Sequence, residues 1–162
     1  RYKLAAAKHI FGFRPMRADL GDGLGERERL LVAIAHGRRY GGGILVAPHA
    51  SVDDGLLDVV SIDDAPTAER IALFQTAQDG RHLSREGVAV RREPVVTMHF
   101  EVPPAFQIDG ELYQARRRAV VAECVPGALR VITAQAASVP PTQGLPRSAS
   151  ATAPASRSTG RP

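Results

Sequence analysis

Apolar and polar side chains alternate along most of residues 1–133, in short runs separated by glycine and proline. Because successive side chains of a strand point to opposite faces, this period of two predicts β-strands. Many short strands with regular turn signals are typical of an antiparallel, sandwich-like or barrel-like domain. The predicted strands cover residues 13–19, 29–36, 43–47, 57–62, 88–92, 95–102, 105–108, 112–115, 118–124 and 128–133.

One segment, DDAPTAERIALFQTAQDG at residues 63–80, departs from this alternation. It has acids and Pro66 near its start and Gly80 at its end, as a helix of about three turns should. One helical face would carry three apolar residues: Ile71, Phe74 and Ala77. A helical remnant is also predicted at residues 2–10. The predicted fold class is therefore mainly β: a β-sandwich-like domain of many short antiparallel strands with one or two helices (α+β).

Residues 134–162 differ in composition from the rest of the chain. They consist mainly of alanine, serine, threonine and proline, and they carry three arginines and no acid. So few large apolar side chains cannot offset the entropy cost of ordering the segment, which predicts a disordered C-terminal tail. The tail holds three of the four excess positive charges, so the domain at residues 1–133 is close to neutral. A nearly neutral domain argues against a nucleic-acid partner.

Length and cysteine content exclude further classes of protein. With 162 residues, 44% of them hydrophobic, the chain is long enough for one domain with a buried core. No apolar run approaches the roughly 20 residues that cross a bilayer. The single cysteine, Cys124, excludes an internal disulfide and a zinc site built from cysteines. The opening RYKLAAAKHI reads as the interior of a helix, so we expect the chain to be a piece of a longer protein.

Three consecutive glycines at positions 41–43 indicate an unusual backbone conformation. Glycine costs more conformational entropy than other residues, so such a run is expected where side chains would collide or φ must be positive. The run leads into ILVAP, a predicted strand, and lacks the Lys and Ser/Thr of a phosphate-binding loop. GDGLGE at residues 21–26 likewise lies between two predicted strands. Neither stretch predicts a nucleotide site by itself.

VDDGLLDVV at residues 52–60 has two interpretations. Asp-Gly before an apolar run is a turn signal, because aspartate bonds its own backbone and glycine accepts positive φ. Three carboxylates, those of Asp53, Asp54 and Asp58, also lie within six residues of one another. Such hard oxygen ligands suit Mg²⁺ or Ca²⁺, although the spacing is not that of an EF-hand. Both interpretations stay open from the pattern alone.

FQIDGELYQ at residues 106–114 also allows two structures. On an extended strand Asp109 and Glu111 would share a face. Paired carboxylates of this kind could accept a proton and hold a cation. Alternatively, Asp109 and Gly110 form the two-residue turn of a hairpin, which separates the two acids.

Four stretches, in this order, resemble the C-terminal domain of the diacylglycerol kinase and sphingosine kinase catalytic family. They are YGGGILVAPHASVDDGLLDVV, a predicted helix ending in DGRH, FQIDGELY, and VVAECVPGALRVI. The similarity is greatest to the bacterial lipid kinase branch and covers about residues 15–133. It implies a C-terminal β-sandwich domain at residues 1–133, without the N-terminal nucleotide-binding domain.

The resemblance implies transfer of the γ-phosphoryl group of ATP to the hydroxyl of diacylglycerol or a related lipid. Asp109 matches the base that accepts the hydroxyl proton, and Glu111 matches the acid that supports the active-site charge network. Bacterial members also hold a structural Mg²⁺, whose ligands here would be Asp54 and the main-chain oxygens near Leu57 and Val59. ATP would be bound mainly by the missing domain, because no Gly-Gly-Asp-Gly-Thr loop occurs in these 162 residues.

The partners implied by the resemblance are a lipid substrate at the membrane surface and the missing nucleotide-binding domain. A homodimer is left open. We expect a cytoplasmic protein that is peripheral at the membrane, and a chain that is inactive alone. The family usually has an asparagine ahead of the glycines, where this chain has His36.

Two other functions fit the same sequence. A relative of NAD kinase would share the broader architecture, but it would need polar contacts for a dinucleotide in place of an apolar cleft. A non-catalytic β-sandwich module that binds a lipid or a partner is the other. It predicts that Asp109 and Glu111 point apart on a hairpin.

Overall fold

Short antiparallel strands make up most of the domain, of which the computed structural model describes residues 14–132. The strands are β1 (Met16–Asp19), β2 (Arg27–Ala35), β3 (Leu57–Asp63), β4 (Val88–Glu93), β5 (Val95–Phe100), β6 (Ala105–Ile108), β7 (Glu111–Gln114) and β8 (Ala119–Glu123). Helix α1 (Thr67–Thr76) and a 3₁₀ turn (Arg81–Ser84) lie between β3 and β4.

Six of the strands form one antiparallel sheet in the order β4-β3-β2-β1-β5-β8. The other two, β6 and β7, pair as a separate hairpin. The predicted fold class, mainly β with short antiparallel strands, is thus confirmed. The predicted helical remnant at residues 2–10 and the predicted disordered tail at 134–162 lie outside the described residues.

Both faces of the main sheet carry a hydrophobic core. Strand β3 explains this arrangement, because its alternate side chains enter opposite cores: Leu57 and Val59 one, and Val60 the other. The first cluster consists of Ala18, Leu20, Leu57, Val59, Val96, Met98 and Cys124. The second consists of Ala35, Val46, Ala47, Ala50 and Val60. Consequently every residue of β3 up to Ile62 is buried, including two that are polar.

Residues 43–47 are not a strand, contrary to the sequence prediction. Gly42 and Gly43 have φ angles of +57° and +89°, so the chain turns back sharply at the glycine run. The Tyr40 N–H donates to the Ile44 carbonyl oxygen at 2.8 Å, which closes this turn. Val46 and Ala47 after this turn are still buried, because they belong to the second core. Burial without strand pairing explains why the apolar run was misread.

Two further predicted elements, a strand and the helix, differ from those in the structure. In the described part of 128–133 no strand forms, and the side chains of Leu129 and Val131 are exposed. The predicted helix at 63–80 is shorter, as α1 begins after Pro66 and ends at Thr76. Its buried residue is Leu73, whereas the three apolar residues predicted to form its inner face are only half-buried.

Gly80 joins the helix to the 3₁₀ turn in a conformation that requires glycine. Its φ is +81°, and a Cβ atom there would lie 2.5 Å from Cγ of Pro48. Gly80→Ala should therefore destabilise the domain by more than the roughly 1–2 kcal/mol that a left-handed conformation costs alanine. Gly43→Ala is the matched control, because its φ is +89° and no atom lies near its Cβ position. If chemical denaturation shows equal losses of unfolding free energy in Gly80→Ala and Gly43→Ala, the predicted collision with Pro48 is contradicted.

His82 anchors the 3₁₀ turn to the loop that covers the second core. Its side chain is 1% exposed, and Nε2 lies 3.1 Å from the Val46 carbonyl oxygen, to which Nε2–H of the neutral ring donates. Nδ1 has no partner among the described residues. Burial lowers the pKa of His82, and the bond to Val46 and the charge of Asp79 oppose this shift. His82 is thus a packing residue rather than an exposed acid or base.

We expect the domain to lose stability as the pH falls below 6.5, the unperturbed pKa of histidine. Because the folded-state pKa lies below this value, the unfolded chain takes up the proton first. The stability that depends on neutral His82 is therefore complete above pH 6.5 and decreases on acidification. Melting temperatures between about pH 8 and pH 5 should fall more steeply in the wild type than in His82→Gln. Parallel curves would show that His82 is not responsible.

Candidate active site

The Asp-Gly turn before β3 is built as the sequence predicts. The Leu56 N–H donates to Oδ1 of Asp54 at 2.9 Å, and Gly55 has a φ of +73°. Oδ2 of Asp54 pairs with the Arg92 guanidinium of β4. Both carboxylate oxygens of Asp54 are therefore engaged, one by the local backbone and one by a residue distant in sequence.

Asp58 is the most unusual acid of this region. It lies in β3 at 1% exposure, and neither carboxylate oxygen has a hydrogen-bond partner within the described chain. Among the described residues its ion-pair partner is Arg92, whose Nε lies 3.5 Å from Oδ2. A buried carboxylate is costly unless positive charge compensates it. Arg92 contacts both Asp54 and Asp58, and its single positive charge offsets only part of their negative charge. Arg92 was not singled out from the sequence.

The donors around this turn fit a cation in part. The unpartnered oxygens of buried Asp58 are hard ligands of the type that Mg²⁺ prefers. Leu57 and Val59 lie opposite Glu93 and Arg91 in the ladder of β3 and β4. A carbonyl oxygen has two lone pairs, so a ladder hydrogen bond at either residue would leave one for a cation. Within residues 14–132 no three side chains of His, Cys, Asp or Glu are arranged to hold a metal.

The second acid pair lies on the β6–β7 hairpin. Asp109 and Gly110 form its two-residue turn, with φ angles of +49° and +100°, as in a type I′ turn. The interpretation of an extended strand with Asp109 and Glu111 on one face is therefore wrong, and the hairpin alternative is correct. Glu111 begins β7 opposite Ile108. Gln107 Nε2 donates to the Gly110 carbonyl oxygen at 3.1 Å and supports the turn.

Both hairpin carboxylates are free. Asp109 and Glu111 are exposed, and neither has an ion pair or a side-chain hydrogen bond in the described part of the chain. Asp54 lies at the start of β3 in the main sheet, whereas Asp109 lies at the tip of the separate hairpin. The described residues thus place the two acidic turns on different sheets. That they meet at one cleft stays a prediction.

A surface depression of about 370 Å³ lies beside β1 and β5, away from both turns in sequence. Its lining residues are Asp19, Glu26, His99, Phe100, Glu101 and Arg118. None of the predicted site residues lines it. His36, at the position where the family usually has asparagine, is exposed, and its Nε2 lies 3.8 Å from Sγ of Cys124.

Comparison with known proteins decides the family. Residues 1–133 match the model of the YegS C-terminal NAD kinase beta sandwich-like domain. The chain belongs to this family. The resemblance to bacterial lipid kinases, predicted from four stretches of sequence, is thereby confirmed. The family description also shows that the architecture of a YegS C-terminal domain is related to that of NAD kinases.

Several relatives of the YegS domain are much longer than this chain. The "Probable lipid kinase YegS-like" of Stenotrophomonas maltophilia (strain K279a) is 36% identical over 107 residues, which are 65% of this chain and 34% of that protein. The "Diacylglycerol kinase" of Mycobacterium tuberculosis (strain ATCC 25618 / H37Rv) is 32% identical over 106 residues, 64% of this chain and 34% of that protein. The chain therefore spans about a third of the length of these relatives.

A solved structure shares the fold. It comes from Bacillus anthracis str. Sterne and is named "A putative diacylglycerol kinase". The TM-score is 0.54 and the identity 20%, covering 75% of this chain and 41% of that chain. At this level of identity the likeness concerns the fold. Within residues 14–132 no helix has both the length and the apolar character needed to cross a bilayer.

Proposed function

We propose that this YegS domain is the C-terminal part of an ATP-dependent lipid kinase that phosphorylates the hydroxyl of diacylglycerol or a related lipid. Relatives named as lipid and diacylglycerol kinases support the substrate class. The observation that carries the proposal is the exposed Asp109 carboxylate, which has no partner among the described residues and projects from a tight turn. A free carboxylate at the tip of a tight turn is suited to accept a proton.

In this mechanism the oxygen of the lipid hydroxyl attacks the γ-phosphorus of ATP, and ADP leaves. Asp109 accepts the proton that the hydroxyl loses. Glu111, two residues further on, contributes negative charge that keeps cations and polar donors near the reacting groups. Phosphoryl transfer depends mainly on positioning and on neutralising charge. The hairpin supplies positioning, because its register and its two-residue turn place Asp109 at the tip.

We further propose that the turn before β3 holds Mg²⁺ through Asp54 and the main-chain oxygens near Leu57 and Val59. When bound, the ion would supply positive charge beside two acidic groups. Asp58, with its unpartnered oxygens, supports a demand for positive charge at this place. ATP would be bound mainly by the N-terminal nucleotide-binding domain, and this chain alone would be inactive. The whole kinase would act in the cytoplasm, peripherally at the membrane.

Millimolar Mg²⁺ should stabilise the domain if this assignment is right. A ligand present at ten to a hundred times its dissociation constant adds about 1.4–2.7 kcal/mol to the free energy of unfolding. Thermal unfolding with Mg²⁺ and after chelation should show this difference in the wild type and lose it in Asp54→Asn. Asp79→Asn is the control, because Asp79 is an exposed acid paired with Arg81. No difference in the wild type would refute the metal assignment.

The test of the proposed activity is a phosphorylation assay of the full-length protein, with ATP, over a panel of diacylglycerols, related lipid alcohols and NAD. Phosphorylation of a lipid and not of NAD supports the proposal. NAD as the preferred acceptor would favour a relative of NAD kinase. A non-catalytic binding module remains the second candidate, because Asp109 and Glu111 are separated by the hairpin turn, and it predicts no turnover of any acceptor.

A further inference from the structure

Two carboxylates share one guanidinium at the turn before β3. Arg92 contacts Oδ2 of Asp54 and Oδ2 of Asp58, so one negative charge of the three groups is left without compensation. Asp58 bears the larger cost, because it is 1% exposed and its oxygens have no hydrogen-bond partner within residues 14–132. The three side chains are therefore short of one positive charge.

The register of β3 and β4 brings these side chains together. Asp58 and Arg92 lie directly opposite each other in the ladder, so they share one face of the sheet. Asp54 lies in the turn, where the Leu56 N–H donates to its Oδ1 at 2.9 Å and orients the carboxylate. Oδ2 is the oxygen that remains for a charged partner, and Arg92 already donates to it.

The Asp54 carboxylate that contacts Arg92 is also the side-chain ligand proposed for Mg²⁺. A guanidinium and a divalent cation on one carboxylate repel each other strongly, because they lie only a few ångströms apart. Arg92 is able to move aside, since its side chain is 41% exposed. Asp58 can receive it, because both of its oxygens lack hydrogen bonds in the described part of the chain.

We propose that Arg92 competes with the divalent cation for Asp54, and that Asp58 is the alternative partner that draws Arg92 away. Without the cation, Arg92 bridges the two carboxylates and compensates the buried one. When Asp54 holds the cation, Arg92 pairs with Asp58 alone, so each carboxylate has a positive charge of its own. Arg92 and Asp58 are thus positioning residues that set the affinity of the turn for the cation. This inference rests on the proposed Mg²⁺ assignment.

The test is thermal unfolding of the full-length protein without nucleotide over a series of Mg²⁺ concentrations. The rise in melting temperature gives the dissociation constant for Mg²⁺. Arg92→Gln removes the competing charge and should lower this constant about tenfold. Asp58→Asn removes the alternative partner, leaves Arg92 on Asp54 and should raise the constant several-fold. Asp54→Asn, added to either variant, should abolish the Mg²⁺ effect and so assign it to this turn.

A double-mutant cycle separates competition from the general field of nearby charges. If Asp58 acts through Arg92, Asp58→Asn should weaken Mg²⁺ binding much less when Arg92→Gln is already present. Additive effects of the two substitutions would overturn the proposal. Arg85→Gln is the matched control, because Arg85 precedes β4 and pairs with Glu69 at 2.7 Å. Its loss should leave the dissociation constant for Mg²⁺ unchanged.

Arg92→Lys keeps the test valid if Arg92→Gln, which leaves buried Asp58 uncompensated, does not fold. Lysine retains the positive charge, but its compact ammonium is less suited than a guanidinium to bridge two carboxylates. The dissociation constant for Mg²⁺ should therefore fall a few-fold below that of the wild type. A merely structural role of Arg92 would change the melting temperature without changing this constant.

The outcomes distinguish this inference from the proposals on which it rests. Wild-type affinity for Mg²⁺ in both Arg92 variants would overturn the competition and leave the metal assignment intact. Binding in Arg92→Gln but not in the wild type would support the competition. No Mg²⁺ effect in any of these proteins would overturn both. Lipid phosphorylation is measured separately, so its failure would leave the result of the Mg²⁺ titrations standing.

Discussion

Asp109→Asn in the full-length protein should lower the rate of lipid phosphorylation by about 10²–10⁴-fold, the usual contribution of a general base. The hairpin should survive the change. Asparagine tolerates positive φ, and Asn-Gly is a preferred pair for a type I′ turn, so the φ angles of +49° and +100° are kept. Only the ability to accept a proton is lost. Single-turnover rates with ATP and diacylglycerol vesicles would measure the effect on the chemical step.

Two comparisons decide whether Asp109 acts as the base. Glu111→Gln removes the neighbouring charge and should have a smaller effect, since Glu111 has a supporting role in the proposed mechanism. Asp79→Asn removes an exposed acid of another loop and should leave turnover unchanged. Wild-type turnover in Asp109→Asn would exclude Asp109 as the base, and a non-catalytic role for the hairpin would then be preferred.

Arg29→Met should produce a large loss of stability, about 3 kcal/mol. Arg29 is 1% exposed and pairs with Asp63 at 2.7 Å and with Asp22 at 3.0 Å. It thereby ties β2 to β3 and to the loop after β1. Removing one partner of a buried ion pair leaves charge uncompensated and typically costs 3–5 kcal/mol. The lower end applies here, because water reaches the carboxylate of Asp63, which is 30% exposed.

Arg27→Met is the matched control for this prediction. Arg27 contacts the same Asp63 at 3.3 Å, but its side chain is 45% exposed, and an exposed ion pair is typically worth less than about 1 kcal/mol. The unfolding free energies of Arg29→Met and Arg27→Met, measured by chemical denaturation, should therefore separate the effect of burial from the effect of the ion pair itself. Adding Asp22→Asn to Arg29→Met should restore part of the loss. Similar losses in Arg27→Met and Arg29→Met would show that burial is not the deciding factor.

The local features of the candidate site were readable from the sequence. Asp-Gly pairs predict turns through the properties of two adjacent residues, and both the turn at Asp54 and the hairpin turn at Asp109 formed. The prediction of an extended strand through Asp109 was wrong, because Asp109 and Gly110 both adopt positive φ angles and the chain turns there. The functional roles of Asp109, Glu111 and the ligands near Asp54 remain predictions.

Contacts between segments that are far apart in sequence could not be predicted from local patterns. Arg92 pairs with Asp54 across 38 positions of sequence, and no local pattern links a β4 arginine to a turn before β3. Asp58 was visible as an acid, but its burial follows from β3 being covered on both faces. ILVAP was predicted to be a strand because buried loops and buried strands contain the same types of apolar residue.

The sequence by itself determined the period of the strands, the places of the tight turns and the membership of the lipid kinase-like family, because these depend on neighbouring residues and on the order of motifs. Only the tertiary structure decided which side chains are buried on both faces of the sheet and which charges meet. Burial and ion pairing depend on the distance between segments that are far apart along the chain, and that distance is fixed when the strands assemble.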